Sequence, residues 1–170
     1  MGWFGKAPKA TSPTEVGAFL CAYTRDRLVS AEPTTSLRGL LNEDGVPRHC
    51  RQDFDGTVFV LMLFIAFVAA RRRYPIRVAE AMLAGALAPF LAVATDAEKS
   101  VVSTRLQNYR EFCPSITNQA EEIAAISSIA CAELFDSEGD DVLFQSATMM
   151  WASGVLRVFD DFWVQTPMRA

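Results

Sequence analysis

Residues 56–70 read GTVFVLMLFIAFVAA, fifteen positions without a charge, preceded by Asp53 and Asp55 and followed by Arg71, Arg72 and Arg73. As a helix this run rises about 22 Å at about 1.5 Å per residue. The hydrocarbon core of a bilayer is about 30 Å thick and takes roughly 20 residues to cross. The run is therefore short for a span, although snorkelling arginines could recover part of the deficit at one end. The other solution for a helix that is apolar on every side is the centre of a bundle, wrapped by amphipathic neighbours. The expected central helix covers about Cys50 to Arg73. It stops there because Pro75 pushes Tyr74 out of helical geometry, and the three arginines meet the negative end of its dipole.

The rest of the chain supplies the wrapping. Ser12-Pro13-Thr14-Glu15 is a capping box with proline at the first helical position, where its missing N–H costs nothing. Val16, Phe19, Leu20 and Tyr23 then recur on one face, predicting a helix over about 13–30. Residues 31–47 hold Pro33, Gly39, Asn42, Gly45 and Pro47, which predicts a loop around one short helix at 35–41. Pro75 opens a helix from Ile76 to about Val93 that Pro89 kinks or splits. Thr95 and Glu98 form a second capping box, followed by Val102, Leu106, Tyr109 and Cys113 on one side. Asn118 or Thr117 caps a helix whose apolar stripe is Ile116, Ala120, Ile123, Ala130 and Leu134. A last helix begins within Ser137–Asp140 and runs to about Gln165. No strand pattern survives beyond a few residues. The chain is expected to be all-α, with a flexible segment over 1–11 and a single domain of six or seven helices over 12–166.

Function is constrained mainly by what is missing. The formal charge of −4 lacks the basic excess that nucleic-acid binding uses, so no nucleic-acid partner is expected. His49 is the one histidine, which rules out a di-iron bundle built on two Glu-x-x-His elements. Beside Cys50 it makes a poor dyad, because adjacent residues point apart. Cys21, Cys50, Cys113 and Cys131 contain no CxxC pair and no zinc-like spacing. A chain this apolar needs no disulfide staples, so reduced thiols and a cytoplasmic setting are expected. Phosphate-binding glycine loops are absent. Asp160-Asp161 lacks the third acid of a DDxxD-type magnesium site. Both acids oppose the dipole in a last turn, and an i, i+4 pair from Arg157 to Asp161 is the simpler expectation. No metal, cofactor or catalytic residue is assigned.

What remains is binding. Leu143, Ala147, Met150, Gly154, Val158 and Phe162 make one stripe on the last helix; Val142, Met149, Ala152, Leu156, Phe159 and Trp163 make another. Two stripes mean that both sides pack, within the domain or across a two-fold dimer. Met149, Leu156, Phe159 and Trp163 are thus candidate partner contacts. The leading expectation is a non-enzymatic helical protein that binds another protein or itself, as an adaptor, inhibitor or immunity-type factor. A second is a carrier of a small apolar ligand or lipid, its pocket walled by Phe59, Met62, Phe64, Phe67 and Met82. A third is peripheral membrane association, through Trp3 and Phe4 beside Lys6 and Lys9, with Arg71, Arg72 and Arg73 as further membrane or partner contacts.

Overall fold

The computed structural model describes residues 12–29, 36–40, 53–112, 118–135 and 142–165. Its helices are α1 (Pro13–Val29), α2 (Leu37–Leu40), α3 (Phe54–Arg71), α4 (Ile76–Leu91), α5 (Asp96–Phe112), α6 (Gln119–Leu134) and α7 (Val142–Gln165). No strand occurs among the described residues. The long helices pack around α3, which touches α1, α4, α5, α6 and α7. Segment 1–11, Trp3, Phe4, His49, Cys50, Cys113, Ile116 and the expected start of the last helix at Ser137–Asp140 lie outside the described residues.

Local chemistry explains where the helices begin. Ser12 Oγ accepts from the Glu15 amide at 3.3 Å while Glu15 Oε2 accepts from the Ser12 amide at 3.1 Å. At α5, Glu98 accepts from the Thr95 amide at 2.7 Å and the Thr95 hydroxyl accepts from the Glu98 amide at 3.3 Å. Both capping boxes thus form with reciprocal bonds to otherwise orphaned amides. Bonds from Thr95 hold the Glu98 carboxyl below its ordinary range. Asn118 caps α6, its Oδ1 accepting from the Glu121 amide at 2.9 Å. Pro89 neither splits nor ends α4; it sits in the final turn of one continuous helix. Its missing N–H leaves a ladder bond unmade and its ring crowds the preceding turn, but only Phe90 and Leu91 follow it in the helix.

The central helix is 18 residues long with a mean hydropathy of 1.9, enough by length and composition to cross a membrane. In this structure Leu61 to Ala70 form an uninterrupted buried stretch, covered by the neighbouring helices. The α7 helix supplies the broadest aromatic wall. Trp151, Phe159 and Trp163 are buried, and the Trp163 indole donates to the Ala66 carbonyl of α3 at 3.0 Å. Tyr74 meets Trp163 edge-on at 6.0 Å.

Packing of α1 on α4 differs from the sequence expectation. Val16 and Leu20 are buried, but Phe19 lies toward the surface and stacks on Phe162 at 5.8 Å. The face turned inward is instead Val16, Gly17, Leu20, Cys21 and Thr24. A methyl group on Gly17 would lie 2.1 Å from the Met82 carbonyl oxygen, and one on Gly85 would lie 2.4 Å from that of Thr14. The two backbones touch because both contact positions lack a Cβ. On α6, Ala120 is exposed, and Ile126, Ser127, Ala130, Cys131 and Leu134 form the buried stripe. Ser127, Cys131 and Thr148 hydroxyl and thiol groups meet between α6 and α7, with Ser127 Oγ 2.7 Å and Cys131 Sγ 3.1 Å from Thr148 Oγ1. The Thr148 hydroxyl donates to the Phe144 carbonyl at 2.9 Å, so this polar group is satisfied inside the core.

Candidate functional site

Three arginines leave the end of α3, and the structure gives them different work. Arg72 crosses to two other helices, pairing with Glu122 of α6 and with Asp160 of α7, the latter at 2.8 Å. Asp160 is thereby neutralised by Arg72, and no ion pair joins Arg157 to Asp161; this corrects the local i, i+4 expectation. Arg72 reaches Asp160 because the end of α3 abuts α7, which spacing along one helix cannot reveal, while Arg157 and Asp161 both stay exposed to solvent.

Arg71 turns back along its own helix, with its guanidinium carbon 5.8 Å from the centroid of the Phe67 ring. Arg110 reaches the same ring from α5, at 5.1 Å. Such stacking contributes about 0.5–1 kcal/mol at an exposed site, and it leaves the guanidinium N–H groups free to donate. Around these side chains an open cleft of about 410 Å³ is lined by Phe67, Arg71, Ile76, Glu80, Gln107, Arg110 and Glu111. Glu111 accepts from the Gln107 side chain at 3.0 Å. Ile76 and Glu80 are one turn apart on α4, and Gln107, Arg110 and Glu111 share one side of α5. Their i, i+3 and i, i+4 spacing was visible in the chain, but nothing in it says that those two faces border one cleft.

The residues proposed to wall an apolar pocket lie in or against one core cluster. Met62, Phe64 and Met82 are buried in the core and Phe59 is half-buried beside it. Phe64 packs on Tyr109 at 5.4 Å and on Phe67 at 6.4 Å. Phe67, itself almost wholly buried, reaches the floor of the open cleft.

The partner-contact set also divides. Leu156, Phe159 and Trp163 are buried against the bundle and present no surface, whereas Met149 is 46% exposed. Both expected stripes of α7 turn inward over its C-terminal half. Near its N-terminal end Val142 and Met150 stand beside Met149, exposed by 71% and 62%. Ser146 and Ser153 are exposed between and beyond them. At about 100° per residue these positions fall within one outer arc.

A second polar group joins the N-terminal end of α3 to α5 and α6. Arg105 of α5 donates to the Thr57 hydroxyl at 3.0 Å and pairs with Glu133 at 3.2 Å and Asp53 at 3.8 Å. Beside it the Tyr109 hydroxyl is buried without a hydrogen-bond partner. Burial, reinforced by the Glu133 charge and opposed by Arg105, pushes its ionisation well above the usual phenol range. Among the described residues no cluster of three or more His, Cys, Asp or Glu is arranged to hold a metal ion.

The fold and these surfaces define a helical bundle with a buried apolar central helix. Comparison with known family models, characterised proteins and solved structures finds no match to this chain.

Proposed function

We propose that this chain works by binding protein, and that the outer face of α7 is the contact, with a second copy of the chain as its occupant. The observation that carries the reading is the pair of exposed methionines, Met149 and Met150, on a helix whose inner face is already committed to the core. Methionine adapts its shape to a partner and is enriched at interfaces. The flanking Ser146 and Ser153 are small, so two such helices can approach closely. Two-fold pairing sets the same patch against itself, which suits the uncharged part of this face from Val142 to Ser153, ahead of the exposed Arg157. Cys21 and Cys131 hold free thiols in the core, which fits a reducing compartment such as the cytoplasm.

Sedimentation velocity over a range of micromolar concentrations tests this reading. The wild-type chain is expected to dimerise, and Met149→Lys with Met150→Lys to sediment as a monomer of unchanged helicity. A wild-type chain that stays monomeric throughout removes self-association.

A further inference from the structure

We propose that the cleft between α3, α4 and α5 is a binding site for a small amphiphile with a single carboxylate or phosphate head and an apolar body. The proposal does not depend on the α7 face. Arg71 and Arg110 converge on one ring from two helices, each held by stacking on Phe67. Glu80 and Glu111 line the same cleft, yet neither forms an ion pair with these arginines, and Glu111 is engaged by Gln107. Two guanidiniums on one ring with their donors unused suit an oxyanion, to which either can donate parallel N–H bonds.

The surroundings narrow the ligand further. Arg73 and Arg77, exposed on the turn after α3 and the first turn of α4, add positive charge to the neighbouring surface without lining the cleft. The two carboxylates repel a polyanion while leaving a single negative head tolerable. The half-exposed Ile76, with the aliphatic stems of the arginines and Gln107 above the buried Phe67, offers apolar surface to the remainder of the ligand. A volume of about 410 Å³ lies within the range of small-molecule sites, roughly 300–1,000 Å³.

Titration calorimetry of the full chain with decanoate, decanol and citrate, each kept monomeric in solution, tests the site. Decanoate is expected to bind, and decanol and citrate to bind at least about tenfold more weakly, since each lacks one half of the match. Arg110→Gln and Arg71→Gln, both at exposed positions, are expected to weaken decanoate about tenfold or more each. Glu80→Gln is expected to reduce the discrimination against citrate. Equal binding of decanol and decanoate, or decanoate binding unchanged in Arg110→Gln, overturns the proposal. So does an absence of decanoate binding. Co-sedimentation with phosphatidylglycerol vesicles separates the two sources of such a head. Vesicle binding that needs Arg110, without binding of free decanoate, assigns the arginines to a membrane surface and overturns the soluble-ligand site.

Discussion

Tyr109 and Trp163 show how differently two buried polar tips can fare in one core. The Trp163 indole finds the Ala66 carbonyl, whereas the Tyr109 hydroxyl and the Trp151 indole N–H have no partner in the structure. A buried hydroxyl without a hydrogen bond costs about 1–3 kcal/mol, so deleting it is cheap. Tyr109→Phe is expected to leave stability unchanged or raise it by about 1 kcal/mol in urea denaturation. The pH dependence has a definite sign. Folding keeps this phenol protonated beyond the point where the unfolded chain ionises, so the folded state binds more protons and its stability falls as pH rises past about 10. Cys21, also raised by burial, adds a similar decline from about pH 9. Tyr109→Phe should therefore lose less stability than wild type above about pH 10, and parallel pH–stability curves would contradict the buried phenol. Tyr109 was legible as a core residue from its spacing with Val102 and Leu106. Its lack of a partner was not, because that depends on which helix covers α5.

At the scale of the element, helix starts were the most legible feature. Both capping boxes and the Asn118 cap act within three residues, so the chain contains all the information they need. The faces of helices were read less well where small residues decide the contact. On α1, periodicity favoured Phe19 as a core residue, but Gly17 lets the α4 backbone approach and turns that face inward. An alanine in an ordinary helix interior is worth about 0.5–1 kcal/mol over glycine. At Gly17 and Gly85 the added methyl meets opposing backbone, and overpacking costs about 1–3 kcal/mol. Gly17→Ala and Gly85→Ala should thus each lower stability, by about 1–2 kcal/mol net. Gly56→Ala is the contrasting case, since the nearest atoms its methyl meets belong to the movable Asp53 carboxylate. It is expected to be neutral or mildly stabilising, and thermal melts of the three variants distinguish the two kinds of glycine.

At the scale of the whole molecule, α3 is shared by nearly every other helix, and Arg72 ties its end to α6 and α7. Helices that bury their apolar faces against one common element lose them together. Urea unfolding followed by tryptophan fluorescence and by far-ultraviolet circular dichroism is expected to give one coincident transition; separated midpoints would show that part of the bundle unfolds independently. The all-α class and the buried apolar helix followed from sequence alone, because an uncharged run bounded by charges and proline has few physical solutions. The two candidate surfaces did not. Both Phe159 and Met149 belong to apolar stripes of one helix, and only the packing of α7 on its neighbours hides the first and exposes the second. Arg71 and Arg110 lie far apart in the chain, and only the fold brings them to one ring. Local hydrogen bonds and periodicity are written in neighbouring residues, while burial and charge pairing belong to whichever faces meet, and that was decided by the tertiary structure.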